Sequence, residues 1–378
     1  MKYPMVDLSG QYQKIKPQID TAISDVIEHT AFINGPAVKQ FQKHLAEYLQ
    51  VNHVITCGNG TDALQLALMA LNLQPGDEVI TTSFTFIATA EVIALLKLTP
   101  VLVDVLPDTY NIDPDAVRNA ITPRTKAIIP VHLFGQTADM MQIMEIADEN
   151  NLYVVEDTAQ ALGADFTDPK TGKTQKAGTI GTIGCTSFFP SKNLGAFGDG
   201  GAVFTNNDAL AERLRMLANH GMKIRYHHDY VGINSRLDTL QAAILDVKLR
   251  YLDEYAAARQ KAAAFYNEAF AGCKNIFTPS TAVFTSHVFH QYTLVLHDVN
   301  REALMKYLAE KEIASAVYYP VPLHLQKAYR DARYGEGDFP VTEALSRSVI
   351  SLPMHTELTM EIQKVIAGAV LEFIQKNK

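Results

Sequence analysis

The sequence predicts an α/β protein with a large, mostly parallel sheet and a smaller α/β unit at its C-terminal end. Short β-rich runs alternate with helical patterns over residues 54–205, and the runs are almost continuously apolar, as in strands that helices cover on both faces. A longer helical pattern begins at residue 239, where the alternation has stopped. We therefore expect a large domain over residues 1–250 and a small domain over residues 251–378.

The individual elements follow from local patterns. Two amphipathic helices, at 15–30 and 37–50, precede the sheet and are separated by the turn signal Asn34-Gly35-Pro36. Strands of the sheet are expected at 54–56, 78–80, 101–103, 127–131, 153–155, 184–189 and 201–205. Helices between them are expected at 61–73, 85–96, 113–121 and 138–150. A long helix over 239–270 should lead out of the large domain into the C-terminal unit. That unit should contain strands at 288–297 and 313–319 and helices at 300–310 and 358–375.

Length and composition narrow the class of function. The chain has 378 residues, 47% of them hydrophobic, which is enough for two packed domains. The formal net charge of -8 is spread along the chain, which argues against nucleic acid or an anionic membrane as the main partner. The apolar run 92–105 is interrupted by charge and proline, and is too short to span a bilayer. The cysteines are few and lack the spacing of metal ligands, and the start of the sequence does not resemble a signal peptide. These two features predict a reduced, cytoplasmic protein.

Lys192 and Asp157 are the strongest candidates for catalytic residues. Lys192 follows a short apolar strand in Thr-Ser-Phe-Phe-Pro-Ser-Lys-Asn-Leu-Gly-Ala-Phe-Gly-Asp-Gly-Gly (186–201) and enters a glycine-rich turn. Asp157, in Val-Val-Glu-Asp-Thr-Ala-Gln (154–160), ends a strand at the edge where open α/β sheets bind ligands. Together they suggest pyridoxal phosphate (PLP), whose aldehyde forms a Schiff base with the lysine and whose pyridinium nitrogen pairs with the acid. Taken singly, a solvated loop lysine and a helix-capping acid are the ordinary alternatives.

The run Cys-Gly-Asn-Gly-Thr-Asp-Ala-Leu (57–64) is a candidate phosphate site. A strand ends there and a helix is expected to start at Thr61, so free backbone N–H groups suit a phosphate. Such a run more often forms an ordinary βα turn in which Thr61 is the N-cap of the helix. The run is neither a Walker A motif nor a GxGxxG loop, which argues against ATP and NAD.

Other residues could complete a PLP site. Phe84 or Phe86, just after a predicted strand, could stack on a flat heterocycle, although a buried core position is commoner for either. Ser187 lies five residues before Lys192, so its hydroxyl could reach the phosphate. Gln160 could donate a hydrogen bond to the phenolic oxygen of the cofactor.

The run Arg-Tyr-His-His-Asp-Tyr-Val-Gly-Ile-Asn-Ser-Arg-Leu-Asp (225–238) has too many polar and aromatic groups for a plain surface loop. It could bind an anionic sugar nucleotide. Its paired histidines also suggest a metal, but no carboxylate or cysteine spacing supports one, so we expect none.

Taken together, these runs resemble the PLP-dependent nucleotide-sugar aminotransferases of the DegT/DnrJ/EryC1/StrS family. The resemblance covers nearly the whole chain and implies the fold type I of PLP-dependent transferases, as in aspartate aminotransferase. It also implies pyridoxal and pyridoxamine phosphate as cofactor forms and a homodimer with active sites at the subunit interface. The motifs that carry it are Gly-Asn-Gly-Thr-Asp-Ala-Leu (58–64), Pro-Val-His-Leu-Phe-Gly-Gln (130–136), Glu-Asp-Thr-Ala-Gln (156–160), Ser-Lys (191–192), Asn-Ser-Arg-Leu-Asp-Thr-Leu-Gln-Ala-Ala-Ile-Leu (234–245), Tyr-Tyr-Pro-Val-Pro-Leu-His (318–324) and Ser-Leu-Pro-Met-His (351–355).

The resemblance implies a role for each site residue. Lys192 matches the Schiff-base lysine, Asp157 the partner of the pyridine nitrogen and Gln160 the residue beside the phenolic oxygen. Phe86 matches the stacking aromatic, in preference to Phe84. Phosphate contacts are implied for Gly60, Thr61, Ser187 and, from the other subunit, Asn234. Family members with histidine in place of the lysine are dehydratases, so the lysine of this chain favours transamination.

Two runs resemble the family members that act on UDP-2-acetamido-2-deoxy-3-oxo-glucuronate: Thr-Ser-Phe-Phe-Pro-Ser-Lys and Arg-Tyr-His-His with the Val-Gly-Ile-Asn-Ser-Arg-Leu-Asp after it. In those enzymes L-glutamate supplies the amino group that replaces the 3-keto oxygen, in a route to surface polysaccharide such as lipopolysaccharide. Arg236 is expected to hold the uronate carboxylate, because a guanidinium matches a carboxylate bidentately. Nucleotide or sugar contacts are expected from Tyr318, His324, Arg225 and His228.

Three alternatives remain open at this point. An aminotransferase for a dTDP- or GDP-linked 3- or 4-keto-6-deoxy sugar fits the family motifs equally, and only the Arg-Tyr-His-His region argues against it. A noncatalytic PLP-binding regulator would usually carry a DNA-binding appendage or lack catalytic groups, and this chain does neither. A PLP lyase or sugar dehydratase is disfavoured by Lys192.

Overall fold

The structure, a computed structural model, describes residues 1–377. The first part of the chain forms α1 (Leu8–His29), α2 (Pro36–Leu49), β1 (His53–Cys57), α3 (Gly60–Ala70), β2 (Glu78–Thr82), α4 (Ala88–Leu95), β3 (Thr99–Val103), α5 (Pro114–Ala120), β4 (Thr125–Ile129), α6 (Met140–Asn150) and β5 (Tyr153–Asp157). The middle forms β6 (Asp165–Thr167), β7 (Thr174–Lys176), β8 (Ile183–Ser187), β9 (Gly201–Thr205), α7 (Asp208–Leu217), β10 (Met222–Ile224), β11 (His227–His228) and α8 (Thr239–Leu249). The last part forms α9 (Leu252–Phe270), β12 (Ile276–Phe277), β13 (Tyr292–Leu296), α10 (Arg301–Glu310), α11 (Pro340–Ser348), β14 (Val349–Leu352) and α12 (Met360–Lys376).

The large sheet has seven strands in the order β1-β9-β8-β5-β4-β2-β3. Strands β3, β2, β4, β5 and β8 run parallel, and β9 runs antiparallel to its neighbours β8 and β1. The expected large, mostly parallel sheet is therefore confirmed. Because β5 and β8 are parallel, the carboxyl ends of both strands, Asp157 and Ser187, lie at the same edge of the sheet.

Helices cover the sheet because their apolar side chains recur at helical spacing. In α2, Val38, Phe41, Leu45 and Leu49 are buried at intervals of three or four residues and pack against strand residues such as Phe204. Burial of side chains of this size stabilises the fold by about 1.5–3 kcal/mol each. The packed helices hold the sheet in place, and the sheet in turn positions the loops at its carboxyl edge.

The C-terminal part has a core of its own. The antiparallel strands β12, β13 and β14 pack with α9, α10 and α12 around a cluster that includes Tyr266, Tyr292 and Ile366. The expected continuous helix over 239–270 is wrong at one point, because it divides into α8 and α9 at residues 250–251. The domain boundary at 250/251 stays a prediction, and this break coincides with it.

The expected strand at 313–319 is also wrong. This segment makes only single bridges, from Ile313 to Tyr3 and from Ala316 to Ser351. The edge position beside β13 is occupied instead by β14, which the sequence patterns had not indicated. The segment therefore connects α10 to the site as an irregular stretch, and its end at Tyr318 reaches the cavity described below.

Two features are absent from residues 1–377. No helix there combines the length and the apolar character needed to cross a membrane. In the same residues, no group of three or more histidine, cysteine, aspartate or glutamate side chains is arranged to hold a metal ion.

Candidate active site

A cavity of about 780 Å³ opens at the carboxyl edge of the large sheet. This volume is in the range of small-molecule sites. It brings together residues from the loops after β1, β2, β5 and β8 and from the C-terminal part. The expected cofactor residues that line it are Gly60, Thr61, Phe86, Asp157, Gln160, Ser187 and Lys192.

Lys192 is held by a tight turn after β8. Its backbone N–H donates to Phe189 O at 2.8 Å, and the neighbouring Asn193 side chain donates to Val288 O at 3.2 Å. A Cβ on Gly195 would lie 2.2 Å from Pro190 O, so only glycine fits there. Burial lowers the pKa of Lys192 to about 8, although the charge of Asp157 acts in the opposite direction. The amine is therefore in its nucleophilic form more often than an ordinary lysine at neutral pH.

The Asp157 carboxylate is buried and oriented by two donors. Thr89 Oγ1 donates to Oδ2 at 2.9 Å, and the backbone N–H of Ala159 donates to Oδ1 at 3.1 Å. The backbone of Asp157 is tied to the neighbouring loop, because its N–H donates to Pro130 O and its carbonyl accepts from His132 N, both at 3.0 Å. Each carboxylate oxygen has a lone pair left, which suits the acceptance of a hydrogen bond from a protonated pyridine nitrogen.

Glu156 supports Asp157 from the other face of β5, and sequence reasoning missed this role. Its fully buried carboxylate accepts from His132 Nε2 at 2.8 Å and from the N–H groups of Gly178, Ile180 and Gly181 at 2.8, 2.7 and 2.6 Å. Residues 178–181 lead into β8, so this carboxylate links the strand that ends at Asp157 to the strand that leads to Lys192. In the sequence, only the pair of acids at the end of this strand, Glu156 and Asp157, indicated that Glu156 could have this role.

The start of α3 fits a phosphate group. The N-cap is Asn59, whose Oδ1 accepts from Asp62 N at 2.8 Å, so the alternative of an ordinary turn with Thr61 as the N-cap is wrong. The N–H groups of Gly60 and Thr61 come before the first intrahelical hydrogen bonds and are free for a ligand. A Cβ on Gly60 would lie 2.6 Å from Ser187 Cβ, so glycine lets the strand end and the helix start meet.

Another residue that lines the cavity, Thr85, carries a hydroxyl without a protein partner among the described residues. Thr85 Oγ1 is buried and makes no hydrogen bond within residues 1–377, although its residue lines the cavity. A buried hydroxyl without a partner is costly, so a ligand oxygen at this position would stabilise the site. The N–H groups at the start of α3 fit the phosphate of PLP, and the Thr85 hydroxyl offers a ligand in the same cavity a further partner.

Gln160 and Phe86 line the region between Asp157 and the mouth. Gln160 Oε1 accepts from Phe134 N at 3.0 Å, which fixes the amide so that Nε2 points toward the Tyr319 hydroxyl, also at 3.0 Å. Phe86 is 56% exposed in the cavity, whereas Phe84 is fully buried, which agrees with the preference for Phe86. Tyr319 lines the cavity beside the expected Tyr318, and sequence reasoning had not singled it out.

Most of the expected substrate residues lie outside this cavity of their own chain. Arg225 and His228 belong to the exposed hairpin β10–β11 and Arg236 follows it, and none of the three is among the residues that line the cavity. Asn234, which was expected to contact the phosphate held by the other subunit, is not among them either. Of the residues expected to contact the substrate, only Tyr318 lines this cavity.

The expected sugar or nucleotide contact by His324 is wrong. The ring is 1% exposed, with Nδ1 at 2.7 Å from Ser83 Oγ and Nε2 at 3.1 Å from Glu343 Oε1. Both ring nitrogens therefore already have protein partners. The histidine instead fastens the loop after β2, which carries Phe86, to α11.

The sequence is similar to those of several known proteins over nearly its whole length. The Pseudomonas aeruginosa UDP-2-acetamido-2-deoxy-3-oxo-D-glucuronate aminotransferase is 46% identical over 365 residues, covering 97% of this chain and 98% of that protein. A Geobacillus stearothermophilus protein named pleiotropic regulatory protein is 46% identical over 375 residues and covers 99% of both chains. An Acidithiobacillus ferrooxidans UDP-N-acetyl-3-dehydro-α-D-glucosamine 3-aminotransferase is 45% identical, covering 95% of this chain and 94% of that one.

Solved structures share the fold. DesV of S. venezuelae, in complex with a ketimine intermediate, has a TM-score of 0.93 at 40% identity and 98% coverage of both chains. NtdA of Bacillus subtilis, with bound pyridoxamine phosphate, has a TM-score of 0.87 at 33% identity, covering 96% of this chain and 82% of that one. These relatives support the fold and cofactor predicted from the sequence. Residues 13–371 match the DegT/DnrJ/EryC1/StrS aminotransferase family, and the chain belongs to it.

Proposed function

We propose that this protein uses PLP to transfer the amino group of L-glutamate to C3 of UDP-2-acetamido-2-deoxy-3-oxo-glucuronate. The observation that carries the transfer chemistry is Lys192, an amine with a pKa lowered to about 8 in the cavity that Asp157 also lines. The choice of sugar is supported by the Pseudomonas relative, which acts on this compound and is 46% identical.

The residues of the cavity have distinct tasks. PLP, when bound, supplies an aldehyde carbon and an electron-accepting ring. Lys192 Nζ would anchor it and, once free, take the proton from Cα of glutamate as a general base. The Asp157 carboxylate would keep the pyridine nitrogen protonated. The N–H groups of Gly60 and Thr61 and the Ser187 hydroxyl would hold the phosphate.

The charges of the cavity bear on how the sugar nucleotide binds. Asp62, Asp157 and Asp199 line the cavity, and among the lining residues Lys192 is the only lysine or arginine. A diphosphate with a uronate carboxylate is strongly anionic, so one chain alone offers it too few cations. We infer that Arg225 and Arg236 meet the substrate bound to the other subunit of a homodimer.

Exposed apolar side chains near these arginines support the dimer. Ile224 is 66% exposed, Tyr226 75% and Val231 91%, all within the segment that carries Arg225 and Arg236. Large apolar groups clustered on a surface are typical of a contact with another chain. The same contact would bring Asn234 of one subunit to the phosphate held by the other.

The experiment is a two-step assay. The PLP-loaded enzyme is first converted with L-glutamate, with L-aspartate and L-alanine as comparison donors, and absorbance follows the change of cofactor form. The product enzyme is then given UDP-linked 3-keto uronate, UDP-linked 3-keto N-acetylglucosamine, and dTDP- and GDP-linked keto-6-deoxy sugars. We expect the highest kcat/KM with glutamate and the uronate. A preference for a 6-deoxy sugar would refute the assigned substrate, and no change with any donor would refute transamination.

A substitution of Arg236 tests whether this residue distinguishes the uronate from the closely related N-acetylglucosamine substrate. Loss of a bidentate pair with a carboxylate should reduce kcat/KM for the uronate by about tenfold to a hundredfold in Arg236→Lys, since lysine does not match both oxygens. The 3-keto N-acetylglucosamine nucleotide has no carboxylate, so its kcat/KM should change little. Equal losses for both sugars would show that Arg236 does not read the carboxylate.

A further inference from the structure

His290 forms part of one wall of the cavity. The side chain is 6% exposed and lines the same cavity as Lys192. Its ring atom Nδ1 is buried and has no hydrogen-bond partner within residues 1–377. Buried ring nitrogens are almost always paired, so an unpaired one in a ligand cavity points to a ligand.

The His290 ring can present its proton at Nδ1, the nitrogen that has no protein partner within residues 1–377. The amide nitrogen of Gln291 lies 3.5 Å from His290 Nε2, at the outer limit of a hydrogen bond, and this contact is compatible with the tautomer that accepts at Nε2. Burial lowers the pKa of His290 well below 6.5, helped by the positive charges of Lys192 and Arg259, so the ring is neutral. A neutral ring that accepts at Nε2 carries its one N–H at Nδ1. In that tautomer the unpaired atom is a hydrogen-bond donor for a ligand.

Arg259 holds this wall in place. Its guanidinium is 3% exposed, and Nη1 donates to Phe289 O at 3.1 Å, to His290 O at 3.4 Å and to Met354 O at 2.9 Å. These acceptors are carbonyl oxygens, so no carboxylate neutralises the guanidinium through these bonds. A positive charge thus lies directly behind the His290 backbone and favours an anion in front of it.

The neighbouring backbone links this wall to the catalytic loops. Gln291 N donates to Phe134 O at 3.3 Å, and Phe134 N in turn donates to Gln160 Oε1 at 3.0 Å. Val288 O accepts from the Asn193 side chain, next to Lys192, at 3.2 Å. The position of His290 is therefore fixed relative to both Gln160 and Lys192.

We propose that His290 binds a carboxylate of the amino donor through its Nδ1–H, and that Arg259 is its positioning residue. An amino acid carries its α-carboxylate on the same carbon from which Lys192 takes the proton, so the group that binds it must be in the wall beside Lys192. The aspartates that line the rest of the cavity would repel a carboxylate. The His290 wall offers a donor with a positive charge behind it. This inference rests on the proposed transfer from glutamate.

The test uses the PLP-loaded enzyme and glutarate, a dicarboxylate without an amine that can bind but not react. Calorimetry gives its Kd for the wild type, His290→Asn, His290→Gln and His290→Phe. The asparagine amide nitrogen can take the place of Nδ1, whereas glutamine places its amide near Nε2. We expect His290→Phe and His290→Gln to weaken binding by about tenfold or more, the effect of losing one hydrogen bond to a charged group. His290→Asn should remain within about threefold of the wild type, since it keeps the donor.

His287 provides a matched control. It is also buried, at 3% exposure, but its Nδ1 accepts from Phe289 N at 3.0 Å and its side chain is not among those that line the cavity. His287→Asn should lower the thermal unfolding temperature without changing the Kd of glutarate. If His287→Asn weakens glutarate as much as His290→Gln does, or if all three His290 variants bind it like the wild type, the inference is wrong. Comparison of the asparagine and glutamine variants decides the question even if His290→Phe does not fold.

The two half-reactions separate this inference from the proposed function. His290→Gln should raise the glutamate concentration needed for half-maximal conversion by about tenfold and leave the reaction with the keto sugar unchanged. Failure of the proposed function would appear differently, as wild-type enzyme that binds glutarate through His290 but aminates no keto sugar.

Discussion

The hydroxyl of Thr89 donates a hydrogen bond of 2.9 Å to Oδ2 of Asp157, from α4 to the end of β5. Both residues are buried, so the carboxylate cannot replace this donor with water. Thr89→Val keeps the shape but removes the donor, and a hydrogen bond to a charged group contributes about 1.5–3 kcal/mol. We expect kcat to fall about tenfold, while Thr89→Ser keeps near-normal turnover. Equal turnover in the valine and serine variants would show that the hydroxyl does not act on Asp157.

Asp157 itself can be tested by truncation. Asp157→Ala removes the group that would keep the pyridine nitrogen charged, so turnover should fall at least about a hundredfold. The cofactor should be retained with only a modest loss of affinity, because the phosphate contacts and Lys192 remain. Steady-state kinetics and a PLP titration measure the two effects. Near-normal turnover would contradict the assigned role.

The lowered pKa of Lys192 has a consequence for stability that does not depend on the cofactor. Burial lowers this pKa from 10.5 to about 8. Between these values the unfolded chain holds more protons than the folded one, so the stability of the cofactor-free protein rises with pH across this window. The buried ammonium is therefore destabilising below pH 8, by about 3 kcal/mol at most. Lys192→Met removes that cost.

Urea unfolding of the cofactor-free proteins measures this effect. Lys192→Met should be more stable than the wild type below about pH 8, and the advantage should disappear as the pH rises toward 10.5. Lys261→Met, at an exposed lysine of α9, is the control and should follow the wild type at every pH. A difference between Lys192→Met and the wild type that does not vary with pH would mean that the Lys192 amine is solvated rather than buried.

Gly60 tests the contact between α3 and β8. A Cβ there would lie 2.6 Å from Ser187 Cβ, so Gly60→Ala must move the strand end that precedes Lys192. Overpacking of this kind costs about 1–3 kcal/mol, and we expect PLP to bind about tenfold more weakly. Gly368→Ala is the matched control, because no atom lies within 4 Å of its Cβ position in α12. It should leave PLP binding unchanged and stabilise the helix by about 0.5–1 kcal/mol. PLP affinity that is equal in the two variants would contradict the tight contact.

The large sheet could be predicted from the sequence because its strands are buried on both faces. In β2 all five residues are buried, and the run Glu-Val-Ile-Thr-Thr with its neighbours has the continuous β-rich character of such strands. The break between α8 and α9 could not be predicted, because neither glycine nor proline stands at 250–251 and the helical period continues through it. The segment 313–319 has the composition of a strand but not its partners, which only the assembled C-terminal part determines.

Only some residues of the candidate site could be predicted from the sequence, and there is a physical reason why the others could not. Lys192, Asp157 and Gln160 belong to short motifs at strand ends, where local sequence is enough to indicate a ligand. The side chains of Thr89 and His290 reach the site from other parts of the chain, and the spacing of residues in the sequence does not indicate such contacts. The prediction for His324 was wrong for the opposite reason. This histidine belongs to a sequence motif, but its ring nitrogens are paired with Ser83 and Glu343 and not with a ligand.

The central claim is that Lys192 forms the covalent link to PLP, and borohydride trapping tests it most directly. The PLP-loaded enzyme is reduced with borohydride and digested, and the labelled peptide is identified by mass spectrometry. We predict a single label on Lys192, and its loss in Lys192→Arg. A label on any other lysine, or no stable label in enzyme that contains PLP, would contradict the account.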